Sequence, residues 1–103
     1  MGIIVSGTDW AHSDNPRPTR REFPTIRAAV KRSIELIDKY TTDLSSVVTD
    51  VIVRHETAQT VVQFARSDDA FGLWTGIIVT CDNLYEAEVV EYALLDRLCG
   101  GAS

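Results

Sequence analysis

The sequence predicts an α+β domain in the order β-α-β-β-β-α, an antiparallel sheet with two helices packed on one face. Three observations carry this expectation. Residues 24–40 hold apolar side chains at a helical spacing of about 3.6 residues. Residues 47–81 hold three segments in which apolar side chains recur at every second position. Asn83 followed three residues later by Glu86 is a capping box, which starts a second helix. The 103 residues fit a single domain over 1–103, and a hydrophobic content of 45% excludes a disordered chain.

Residues 2–8 form the first expected strand, with Ile3, Ile4 and Val5 as its apolar run and Gly7 near its end. Residues 9–23 follow as a long polar loop containing Asn15-Pro16 and Arg17-Pro18, a length that usually marks function or disorder. Pro24 suits the first turn of the first helix. Ile26, Ala29, Val30, Ser33, Ile34, Ile37 and Tyr40 share one side of it, and Arg27, Lys31, Glu35 and Asp38 the other. Glu35 and Lys39 form a favourable i,i+4 pair, and Thr41-Thr42-Asp43 closes the helix.

In the strand over 47–55, Val47, Thr49, Val51 and Val53 share a face. In 60–66, Val62 and Phe64 do. A turn over 56–59 pairs His55 with Thr60, Val53 with Val62 and Val51 with Phe64, so the two apolar faces agree in register. In 73–81, Leu73, Thr75, Ile77, Val79 and Cys81 form one face, leaving Trp74 and Ile78 on the other. The last helix buries Ala87, Val90, Ala93, Leu94 and Leu98 and stops at Gly100-Gly101. Helix, three strands and helix in this order are similar to double-stranded-RNA-binding domains in topology alone. The acidic last helix would repel RNA where such domains carry lysines, so no function follows from that likeness.

Charge is unevenly distributed. Up to Tyr40 seven basic residues face five acidic ones; from Thr41 onward three face ten, and the chain as a whole carries −5. Arg17, Arg20, Arg21, Arg27 and Lys31 are the candidate contacts for an anionic partner or ligand, because clustered like charges gain from a counter-anion. An acidic pI near 4.8 argues against general nucleic-acid binding. The second sheet face is the other candidate surface. Val48, Ile52, Val61, Trp74 and Ile78 would lie there, too many for a face that two helices cannot also cover. Either the 9–23 loop covers it with Trp10 and Phe23, or an oligomeric partner does.

Chemistry is weakly signalled. His55-Glu56 lacks the second histidine that a zinc-protease motif needs, since Gln59 holds that position. Asp9, His12 and Asp14 could form a small acid–base or metal cluster, but Asp, Ser, Asn and Pro are also ordinary loop formers. Cys81 and Cys99 are too few for a four-thiolate zinc site and suit reduced thiols in a cytoplasmic protein. The N-terminal stretch has neither the basic segment nor the apolar length of a signal peptide. No phosphate-cradling loop, nucleophile–base pair or cofactor motif stands out, and neither a metal nor a cofactor is expected.

The expectation is therefore a small acidic, non-enzymatic protein-interaction module, dimeric through its sheet. It would act as an inhibitor or regulator, in the manner of small phage or immunity-type binders. The alternative is a module that holds an anionic small ligand, such as a nucleotide, through the arginine-rich stretch 17–27.

Overall fold

The computed structural model describes residues 2–9, 17–43, 48–67 and 73–100. Five strands and two helices follow one another: β1 (Ile3–Asp9), β2 (Arg17–Phe23), α1 (Ile26–Asp43), β3 (Val48–Glu56), β4 (Gln59–Arg66), β5 (Leu73–Thr80) and α2 (Leu84–Leu95), with a π-helical turn over Asp96–Gly100. The strands form one antiparallel sheet in the order β2-β1-β5-β4-β3. Alternation along each strand sends Ile3, Val5, Val62, Phe64, Ile77 and Val79 to one face. There they share a core with Ala29, Leu36, Ile37 and Tyr40 of α1 and with Ala87, Val90 and Leu94 of α2. Both helices thus cover one face, as an α+β fold of this kind requires. Among the described residues, no helix is long and apolar enough to cross a membrane.

One strand was not expected. Residues 17–23, read from sequence as the second half of a loop, form β2 and pair with β1 from Ile3↔Phe23 to Asp9↔Arg17. The stretch holds a single large apolar residue, Phe23, so no apolar periodicity announces it. Its proline and charged residues instead mark an edge strand, where a missing N–H is tolerated and charge discourages aggregation. Phe23 lies opposite Ile3 and packs against the helix-covered core, so it does not cover the second face.

The β3–β4 hairpin has the expected register: His55↔Thr60, Val53↔Val62 and Val51↔Phe64. Its tip is the two-residue turn Thr57-Ala58, where Thr57 holds φ 48°, the one positive φ among described non-glycine residues. A β-branched residue is costly in that region, which glycine or asparagine normally occupies.

The face of β5 changes partway along. Val62 pairs with Ile77 but Gln63 with Thr75, leaving Gly76 as a bulge. Past the bulge the alternation inverts. Trp74 joins Ile77 and Val79 on the helix side, whereas Leu73 and Thr75 lie with Ile78 on the other side. The expected placement of Trp74 on the uncovered face is therefore corrected, and so is that of Leu73 and Thr75 with Ile77. Trp74 stacks edge-on against Tyr40 at 5.5 Å and lies 5.8 Å from Phe64, itself 5.2 Å from Tyr40. Gly76 is needed for this trio, because a Cβ there would stand 2.3 Å from the Phe64 ring. Val48, also expected on the uncovered face, packs against the core cluster as well.

The helices follow their local signals with small shifts. Thr25, not Pro24, starts α1: its hydroxyl accepts from the Ala28 N–H at 3.2 Å and its carbonyl from the Ala29 N–H at 3.2 Å. Pro24 therefore stands just outside the helix. The helix runs on to Asp43, past the expected polar turn, with the Thr41 hydroxyl donating to the Ile37 carbonyl at 2.9 Å. Asn83 caps α2 by accepting from the Glu86 N–H at 2.9 Å, and Glu86 accepts in return from the Asp82 N–H at 3.0 Å.

Candidate functional site

The sheet face away from both helices, which no described element covers, is built in rows, because residues paired across strands share a face. One row runs Glu22–Ile4–Thr80–Gln59–Glu56 from β2 to β3. The next runs Arg20–Ser6–Ile78–Val61–Arg54. Beyond them lie Gln63 and Ile52, then Leu73 and Ala65. Ile4, Ile52 and Ile78 are half-buried, Val61 is buried outside the main core cluster, and Leu73 is 48% exposed. The apolar centre is bordered by a polar network: Arg54 Nε donates to Gln63 Oε1 at 3.0 Å, Gln63 Nε2 donates to Thr75 Oγ1 at 3.3 Å, and Arg54 pairs with Glu56. Of the five residues expected here, Ile52, Val61 and Ile78 lie on this face. Leu73 and Ile4 join them, Leu73 because the bulge brought it over.

The five basic candidates do not converge. Arg20 and Arg21 are successive strand residues and point to opposite faces, Arg20 toward the uncovered one. Arg17 pairs through its backbone with Asp9. Arg21 and Lys31 line an open groove of about 260 Å³ between β2 and α1, together with Phe23 and Arg32. Arg27 and Lys31 line a second groove, of about 610 Å³, with Val30, Ile34 and Arg97. Glu35 lines both grooves and lies 3.6 Å from Arg32, and Asp38 adds a second carboxylate to the larger one, so neither groove is purely cationic. Arg97 was not a sequence candidate. It is isolated in the acidic half of the chain, and only the packing of the C-terminal turn near α1 brings it to Arg27.

Two further features escaped the sequence reading. His55, though exposed, has acidic partners on α2. It continues the Val51, Val53 parity onto the helix side, where Nδ1 lies 2.6 Å from Glu91 Oε2 and Nε2 lies 3.8 Å from Glu88 Oε1. The pair ties the outer strand to α2, and the period-two pattern extended by one step would have found it. Tyr85 and Tyr92, 72% and 76% exposed, stand on the same acidic helix. Buried Thr60 provides a second sheet-to-helix tie, its hydroxyl donating to the Ala87 carbonyl at 2.6 Å.

The Cys81 thiol is free and buried; burial pushes it up to about 11, and the Glu86 and Asp82 carboxylates add to the shift. Such a thiol is protonated at neutral pH and a poor nucleophile. His12, Asp14, Trp10 and the Asp9 side chain lie outside the described residues. Among the described residues no three histidine, cysteine or acidic side chains gather as a metal site would need. No protein-family model, curated protein or solved structure matches the chain.

Proposed function

We propose that the chain is a non-enzymatic protein-interaction module that works through its uncovered sheet face. The observation that carries this is the face itself. Ile4, Ile52, Val61, Leu73 and Ile78 lie on the side of the sheet away from both helices, bounded at each edge by an arginine and a glutamate. An apolar centre with a charged rim is the usual anatomy of a protein contact. Inhibition or regulation of another protein, and self-association, both suit it.

Native mass spectrometry of the purified protein tests this reading, because it reports subunit number and any retained ligand together. Ile78→Glu should keep the fold, shifting Tm by a few degrees at most, and should abolish association through the face. Association that survives Ile78→Glu in a folded protein counts against the reading.

The second reading, an anionic small ligand, rests on the groove where Arg27, Lys31 and Arg97 meet. It predicts saturable chemical-shift changes at Arg97 and Lys31 on titration with inorganic phosphate or a nucleotide. Arg97→Glu should remove them.

A further inference from the structure

On the sheet face away from the helices, the two rows nearest the β3–β4 hairpin tip each end in one kind of charge, glutamate in the first and arginine in the second. Glu22 and Glu56 close one row, on β2 and β3 respectively; Arg20 and Arg54 close the next. The rows are about 7 Å apart along the strands and the sheet is roughly 19 Å across, so the four charges mark the corners of a rectangle around Ile4, Ile78 and Val61. Residues 20, 22, 54 and 56 are all exposed. Arg54 and Glu56 already pair with each other at the β3 edge, so a facing copy would extend that pair into a four-charge cluster.

From this pattern we infer that the face pairs with the same face of a second copy, about a two-fold axis that crosses the strands between the two rows. The inference rests on the interaction reading above and supplies its partner and orientation. Sheets packed face to face keep their strands within about 30° of alignment, which leaves two ways to relate identical copies by a two-fold axis in the interface. An axis along the strands lays β2 over the partner's β3. Glu22 then meets Glu56 and Arg20 meets Arg54, like on like at every corner. An axis across the strands, between the rows, lays β2 over the partner's β2 and β3 over the partner's β3. Glu22 then meets Arg20 and Glu56 meets Arg54, opposite on opposite at every corner.

Sheets about 10 Å apart are within reach of facing arginine and glutamate side chains. At an exposed rim each such pair contributes little affinity but sets register and orientation. The apolar centre supplies the attraction: Ile4 lies over Ser6 of the second copy, Ile78 over Thr80 and Val61 over Gln59, so large aliphatic groups meet smaller or flexible ones.

Two double variants with the same net charge separate the axes. Arg20→Glu with Glu22→Arg exchanges charges within one edge, which the crossing axis pairs with itself; complementarity is kept, and the association constant should stay within about threefold of wild type. Arg20→Glu with Glu56→Arg makes one edge wholly acidic and the other wholly basic. The crossing axis then opposes like charges at every corner, and association should weaken tenfold or more; the axis along the strands would instead tighten it. Sedimentation equilibrium at low salt, with circular dichroism to verify folding, reads both. Weakening in the second variant alone supports the inference. Tightening in it, equal behaviour of the two variants, or a monomeric wild type overturns the inference. If Ile78→Glu dissociates the wild-type dimer while Arg20→Glu with Glu56→Arg does not, the inferred axis fails and the interaction reading of the face stands.

Discussion

The two faces of the sheet are made by the same five strands and differ in how completely they are filled. On the helix side, Val62, Phe64, Ile77 and Val79 are 0% exposed, and two hydrogen-bonding ties, Thr60 to Ala87 and His55 to Glu91, join sheet to α2. On the other side the large aliphatic residues are fewer, mostly half-buried, and interleaved with Ser6, Thr75, Thr80, Gln59 and Gln63. The first face has the density of an interior, where every methylene is felt. The second has the composition of an interface, apolar enough to associate and polar enough to stay in water. The closed packing that holds the fold is therefore on one side of the sheet, and the proposed contact surface is on the other.

The largest break in that contrast should come at Gly76, where the two faces exchange residues. Gly76→Ala drives a methyl into the Phe64 ring and should cost about 3 kcal/mol in urea denaturation, as overpacking of a filled core does. Ile52→Ala on the other face should cost about 1 kcal/mol, because a half-buried side chain forfeits less. Equal costs would mean that the second face is as closed as the first.

A smaller effect is expected at high pH. Cys81 belongs to the filled side, and its folded pKa of about 11 lies above the ordinary 9.0. A group whose folded pKa is raised binds its proton more tightly in the folded state. Its contribution is whole below about pH 9 and is lost as pH rises through 11. Wild type should therefore lose stability between pH 9 and 11 relative to Cys81→Ala, and its thiol should resist alkylation at pH 7 until the protein unfolds. Parallel pH profiles for the two proteins would contradict this.

The smallest effect should be a gain. Thr57 sits at the tip of the β3–β4 hairpin, away from both faces, in a conformation that costs a β-branched residue about 1 kcal/mol. Thr57→Gly should raise stability by up to that amount, with association unchanged. A loss would show that the Thr57 hydroxyl, which donates to the Glu56 carbonyl at 2.7 Å, outweighs the backbone strain.

How far the sequence shows these two faces depends on whether apolar periodicity survives locally. The hairpin register was legible because Val51, Val53, Val62 and Phe64 alternate without interruption, so only one pairing buries all four. Helix α2 was legible because its cap is a short-range hydrogen bond between residues three apart. Strand β2 was not, since an edge strand rich in arginine has no apolar pattern to read. The exchange of Trp74 for Leu73 was missed because a bulge inverts alternation without altering composition. Gly76 inside a strand pattern was its one available sign. The arrangement of the basic candidates was not legible in the sequence. Their grouping read Arg17, Arg20 and Arg21 in a loop beside Arg27 and Lys31 on the first helix; a strand sends Arg20 and Arg21 to opposite faces, while Arg97 joins Arg27 and Lys31 at the groove only through tertiary packing. The corner charges are visible only once five strands are in register, which no local pattern specifies.

Whether the sheet face away from the helices is a contact surface is decided by sedimentation equilibrium of the wild-type protein from low to high micromolar concentration. The account predicts a reversible dimer that weakens with added salt and that becomes a folded monomer in Ile78→Glu. A wild-type protein that stays monomeric throughout the range, or a dimer indifferent to Ile78→Glu, would contradict it.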